Sequence, residues 1–447
     1  LPATLTNRKI NLLQATAINM IDMVGIGPFV VMPFVVAQFS NGLFIWAWIF
    51  GAVTALVDAM IWSELGAKYP LAGGTYHFHR IAFGDKGGRL MSFLFVWQTS
   101  IQAPLVVASA SIGFAQYLTY IVPLEYWQQK MVSGGLVILA FILLYRKIES
   151  IGKISVVMGT VVVLTILWII MSGLFNQQHP IKLLPDQGES FFTYALWAAV
   201  GQASVKTVYA YLGYYNVCHL GGEIKDPDKT IPRSMFLSIF GIAALYLLMN
   251  ISVMGVMPWQ SVKADDKYLV SSFMQELYGN GAGIVITILI LCVAFSSLFA
   301  VVLGYSRIPY AAAVDGNFFR PFARLHPTKK FPHISLIVLC VLGFFFSLLF
   351  RLSEVISSIL AMRIIVQFIG QAVGVMLLRF RLGDKDLPFR MWLFPVPVFL
   401  SVAIWLFLFL STGWFAVWGS LIAIVGAVVY YVKNNLWNDR HTQSQGR

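Results

Sequence analysis

Charge is scarce in this chain. Aspartate, glutamate, lysine and arginine make up 11% of its 447 residues, against roughly a quarter in soluble domains. A chain so poor in charge and 58% hydrophobic is not expected to hold a water-soluble fold. Enzyme signatures are missing too: no His-Glu-x-x-His, no Gly-x-Ser-x-Gly and no phosphate-binding glycine loop occurs, so no enzyme and no cofactor are expected. Repeated pore loops are not evident, which argues against a channel. Cysteine is rare. Cys218, Cys292 and Cys340 all lie in or beside apolar stretches, where a thiol packs as a small hydrophobe rather than binding metal. His77, His79 and His219 have no metal-ligand spacing and read as solvated or hydrogen-bonded groups, with His219 as a proton carrier the alternative.

What the chain has in place of charge is long apolar runs. Twelve recur from end to end, over roughly 10–37, 42–65, 88–121, 128–146, 151–174, 191–220, 233–257, 281–313, 333–350, 353–380, 389–411 and 413–433. Each approaches the roughly 20 residues that cross a bilayer. No stretch between them would hold a soluble domain, so the expectation is one all-α integral membrane domain over 1–447. The first run is too long for a cleaved signal peptide.

The net charge of +12 is distributed unevenly. Twenty-four of the 31 lysines and arginines fall in one alternating set of loops and the two tails. The opposite loops hold five: Lys130, Lys182, Lys263, Lys267 and Arg351. This asymmetry predicts a multi-pass protein of the cell (inner or plasma) membrane with both termini cytoplasmic. Scattered basic residues do not form a nucleic-acid stripe, so no nucleic acid partner is expected. None of the exterior loops carries a cysteine, and no disulfide-linked heavy subunit is expected.

The first run interrupts itself at Gly25-Ile26-Gly27-Pro28-Phe29, a poor sequence for a continuous helix. Unwound backbone at membrane depth survives only where protein or a polar cavity satisfies it. Such a break is a place for a polar ligand, as in a transporter; the alternative is that the glycines only let helices pack closely. The sixth run has its own interruption at Gly213 and Asn216, within Tyr209–Asn216. Two broken spans, five apart and opposite in direction, match an inverted repeat of five helices. A half-helix starting at the first break offers free N–H groups to a carboxylate. The half-helix ends before the breaks offer carbonyls to an ammonium group. Together they would cradle a zwitterion.

These residues resemble the amino acid–polyamine–organocation superfamily, and within it prokaryotic relatives of the L-type amino acid transporters. Gly25–Phe29 is similar to that family's G-S-G-I-F. Gly222–Arg233 resembles its E-x-x-x-P-x-x-x-x-P stretch, and Pro70–Tyr76 its P-x-x-G-G-x-Y loop. Ser306-Arg307 with Asp315-Gly316, and Leu378–Arg381, resemble the ends of its eighth and tenth spans. The resemblance implies two inverted five-helix repeats, about 10–174 and 191–380, with discontinuous helices 1 and 6 and two further helices over about 389–433. It also implies alternating access to a site between spans 1, 3, 6, 8 and 10. Substrate carboxylate would meet the backbone at Gly25, Ile26 and Gly27. The amino group would meet carbonyls near Met23, Tyr209, Ala210 and Leu212, beside Gly213. Tyr209 falls at the family's aromatic lid; interfacial anchoring or core packing is its alternative. Ile26 stands where the family has serine. No lysine lies near Val162, where many relatives carry one in place of a sodium ion. A coupling ion, Na+ or H+, is therefore in question, with Ser296 and Ser297 as sodium ligands or as hydroxyls bonded back to their own helix.

Four charges inside the runs need a cavity or a partner. Asp22 precedes the first break and would hold an ammonium, a proton or a cation, or cap freed N–H groups. Asp58 reads as scaffold. Lys206 reads as reaching toward the surface. Arg363 has two readings: a ligand for a second carboxylate, or a gate neutralised by Asp22 or Glu354, the preferred one on sequence. The leading expectation is a secondary transporter of amino acids, by exchange or ion coupling. A carrier of polyamines or organic acids, including an acidic substrate through Arg363, is the alternative. The bilayer and a small-molecule substrate are the expected partners.

Overall fold

The computed structural model describes residues 10–445 apart from 72, 146–150, 187–189, 330 and 384–385. Among the described residues the chain is helical with no strand; one isolated bridge sets Ile10 beside Ile224. The first long run forms α1 (Leu12–Met23) and α2 (Gly27–Val36), then come α3 (Ile45–Lys68), a short α4 (Thr75–Ala82) and α5 (Gly84–Leu118). Next are α6 (Tyr126–Leu144), α7 (Ile151–Leu174), α8 (Tyr194–Tyr211), the single turn α9 (Asn216–His219) and α10 (Pro227–Val256). The chain continues through α11 (Leu269–Tyr278), α12 (Asn280–Tyr305), α13 (Arg307–Val314) and α14 (His333–Leu349). It ends with α15 (Leu352–Arg363), a π-helical turn (Ile364–Ile369), α16 (Gly370–Leu382), α17 (Val396–Ser411) and α18 (Trp414–Gln445).

Seven helical segments are long and apolar enough to cross a membrane, and α1 with α2, bent by 51°, makes an eighth if the pair is one span. Three more apolar helices are shorter: Thr160–Leu174, His333–Leu349 and Val396–Ser411. These apolar helices define a multi-pass membrane protein. The outer helices turn Leu139, Ile142, Val341, Phe345, Leu406, Val417 and Val428 outward, apolar surface that only lipid covers at low cost. The centre is built differently. Small and aromatic residues of α3, α8 and α10 interlock, with Trp48 set edge-on to Tyr246 and Tyr211 tilted against the same ring.

Two buried carboxylates of this centre are paired, while Trp48 Nε1 and Tyr211 Oη have no hydrogen-bond partner among the described residues. Asp58 accepts from Trp62 Nε1 at 2.8 Å, Tyr214 Oη at 2.5 Å and Trp405 Nε1 at 3.1 Å, so its carboxylate ties α3 to the sixth run and to α17. Near one end of α3, Glu64 takes a two-pronged contact from Arg379, Nε to Oε1 at 2.7 Å and Nη2 to Oε2 at 2.6 Å. The Met391 N–H adds a third bond to the same carboxylate. Asp58 and this pair fasten the scaffold around the two breaks.

Candidate functional site

The first break falls one to three residues earlier than the glycine-proline cluster suggests. α1 stops at Met23, Val24 leaves helical geometry at φ −91°, ψ 75°, and α2 resumes at Gly27 with no side chain capping it. Among the described residues the N–H groups of Ile26 and Gly27 have no backbone acceptor, whereas Phe29 N bonds Ile26 O at 3.1 Å, and Pro28 gives up a donor at a position where none is needed. The second break is sharper. α8 ends at Tyr211, Leu212 is extended, and Gly213 sits at φ +127°, which side-chain-bearing residues rarely adopt. A Cβ on Gly213 would lie 2.8 Å from Met23 N and 2.9 Å from Asp22 Oδ2. The two breaks are packed directly against each other.

Tyr246 of α10 locks that contact. Its buried hydroxyl stands 3.0 Å from Met23 O and 3.2 Å from Ala210 O, one carbonyl from each broken helix. Nothing in the sequence marks this tyrosine; its role comes from α10 packing behind both breaks. Asn19 adds a second tie, accepting from Val217 N at 2.9 Å.

Between the breaks lies a cavity of about 70 Å³. Met23, Gly25, Ile26, Gly27, Tyr209, Ala210, Leu212 and Gly213 all line it, together with Asp22, Ser297 and Arg363. Ser296 does not; its hydroxyl bonds back to Cys292 O at 2.6 Å. Ser297 instead faces Gly25, so closely that a Cβ there would come within 2.6 Å of its Oγ. Tyr209 closes one wall, its hydroxyl 2.8 Å from Ser109 Oγ of α5. Tyr215 and Tyr305 also line the cavity, although sequence reasoning assigned them no role.

Two charges differ from expectation. Asp22 caps no N–H group and forms no hydrogen bond or ion pair with the described residues; its carboxylate is left to the cavity. Arg363 is not neutralised by Asp22 or Glu354 through an ion pair. It donates from Nη1 to Tyr215 Oη and from Nη2 to Tyr305 Oη, while Glu354 accepts from Arg351 N at the start of α15. Lys206 ends on a neighbouring helix near that helix's first turn. Its Nζ bonds Ser353 O at 2.8 Å and Ser357 Oγ at 2.9 Å, joining α8 to α15. His219 keeps one ring nitrogen without a partner and packs edge-on to Trp62 and Tyr215, beneath the cavity.

Two interrupted helices facing each other across a cavity that holds a carboxylate and a guanidinium, inside a bundle of apolar helices, are the arrangement of a membrane transport protein. Residues 10–432 match the amino acid permease family model, and the chain belongs to that family. It is 23% identical over 432 residues to an uncharacterized amino acid permease, YecA, of Bacillus subtilis, covering 95% of this chain and 96% of that one. The serine/threonine exchanger SteT of the same organism is 23% identical over 442 residues, covering 95% and 96%. Human cationic amino acid transporter 4 is 24% identical over 397 residues, which covers 85% of this chain and 61% of that protein.

Proposed function

We propose that the protein is a secondary transporter that carries amino acids by alternating access. The observation that carries this reading is the cavity walled by both helix breaks, with free N–H groups at the start of α2 and the Asp22 carboxylate on the other side. A zwitterion fits these groups: its carboxylate meets Ile26 and Gly27, and its ammonium meets Asp22 and the second lone pair of the Ala210 carbonyl. Tyr209 and Ser109 form the outer closure, and the stack of Trp62 on Tyr215 at 4.6 Å forms the inner one.

The spans are twelve in this proposal. Eight come from the long helices and the bent α1–α2 pair, three from the shorter apolar helices, and one from the broken α8–α9 segment. They divide into inverted repeats over about 10–174 and 191–380 plus helices over 389–433, a single domain with both termini in the cytoplasm of a cell-membrane protein. The coupling ion, if any, is Na+ at Ser297 and the first-break carbonyls or H+ on Asp22. Polyamine transport is disfavoured because Arg363 lines the same cavity as Asp22 and would repel a polycation.

The test is uptake of labelled amino acids into proteoliposomes, with and without unlabelled amino acid inside. Uptake that requires internal amino acid marks an exchanger. Uptake into empty vesicles driven by a sodium or proton gradient marks a symporter. No uptake of any amino acid under either condition overturns the reading.

A further inference from the structure

Arg363 is 4% exposed and ends α15 where the helix widens into the π turn of Ile364–Ile369. Only two of the five guanidinium donors are engaged, by the phenols of Tyr215 and Tyr305. Its Nε has no partner at all. A phenol is neutral, so these bonds orient the fork without cancelling its charge. No carboxylate of the described residues lies within ion-pair distance of it, and the Asp22 carboxylate of the same cavity acts on it only from farther away. The contrast with Arg379 is informative: that arginine, equally buried, has a two-pronged carboxylate partner. A buried cation left unpaired is costly, and a membrane core makes it more so. Arg363 also lines the cavity that holds the Asp22 carboxylate and the exposed N–H groups of α2.

We infer that the site is built for an amino acid with a second carboxylate, which pairs with Arg363 while the α-carboxylate meets the start of α2 and the ammonium meets Asp22. The inference rests on the transport reading above and names its substrate class. Three fixed groups then meet three charges of a monoamino dicarboxylate. A neutral amino acid would leave the arginine unpaired, and a basic one would set two cations together. Tyr215 and Tyr305 act as positioning residues, holding the planar fork so that its remaining N–H groups donate to both oxygens of one carboxylate.

Competition counterflow on the intact, reconstituted protein tests this. Glutamate, aspartate, alanine, leucine and lysine are each added against a labelled substrate, and the same compounds are screened for thermal stabilisation of the purified wild type in detergent. Glutamate or aspartate is expected to compete at least about tenfold better than alanine, a margin appropriate to a charge-assisted bidentate pair. Arg363→Gln is expected to remove that margin while neutral amino acids still compete, and Arg363→Lys to restore only part of it. Size-exclusion elution and thermal unfolding of each variant check that the protein is folded. Transport of neutral or basic amino acids with no preference for acidic ones overturns the inference and leaves the transport reading standing. An equal loss of all substrates in folded Arg363→Gln also overturns it, because the arginine would then hold the α-carboxylate. Silence toward every amino acid removes both.

Discussion

At the residue scale the protein depends on a few atoms placed where two backbones meet. Gly213 is the tightest of these. Gly213→Ala would have to hold φ near +127° and fit a methyl against Asp22 and Met23. A cost of about 1–3 kcal/mol is expected from the strained conformation alone, and the breaks must also separate. Thermal unfolding in detergent should show the loss, and substrate affinity should fall with it. Tyr246→Phe is a gentler change that keeps the ring packed against Trp48 and removes only the hydroxyl. Losing the one hydroxyl proton that these two buried carbonyls share is expected to cost about 1–3 kcal/mol. A variant as stable as wild type would mean that water replaces the hydroxyl. Gly213 could be read from the sequence, because glycine and asparagine interrupt an aromatic run. Tyr246 could not, since a tyrosine in an apolar helix looks the same whether it packs against lipid or behind a helix break.

At the scale of elements, most of the long apolar runs were legible to within about four residues, although α10 starts six residues before its run, α17 seven after its own and α18 continues twelve past its own. Changes of geometry inside them were legible only where glycine or proline caused them. The break between α1 and α2 and the one after α8 carry such residues. The π turn after Arg363 does not; its partners, His79 donating to Val366 O at 2.9 Å and Phe368 stacked on Trp405 at 3.9 Å, are distant in sequence. His79 of the connecting helix α4 gives that contact a pH signature. Burial lowers its pKa to about 4 from the ordinary 6.5, so it is neutral in the folded protein. Its contribution to stability is complete above about pH 6.5, where the unfolded chain is neutral too, and is lost as pH falls toward 4. Wild type should therefore lose more thermal stability than His79→Gln between pH 6.5 and pH 4. The junction of α3 with α16 gives another expectation. Glu64→Gln or Arg379→Gln removes one member of a buried ion pair, a loss of about 3–5 kcal/mol. The double variant should lose much less than the sum, and a double-mutant cycle by thermal unfolding measures the difference.

At the scale of the whole molecule, orientation is the quantity that charge placement predicts. Single cysteines at Lys182 and Arg324, in a background lacking Cys218, Cys292 and Cys340, should react differently in intact cells. An impermeant maleimide is expected to label the first without lysis and the second only after it. The reverse pattern would invert the topology. By itself the sequence determined the solvent class, the apolar runs, the sign of the loops and the two positions where a helix cannot continue, because these follow from composition and local backbone sterics. Only the tertiary structure decided what the buried charges do. It gave Asp58 three donors and Glu64 an arginine, and set Asp22 and Arg363 in one cavity, within each other's field but without a direct ion pair. The physical reason is that a charge in an apolar run must find a counterpart, and whether that counterpart is another side chain or a ligand depends on helices hundreds of residues apart.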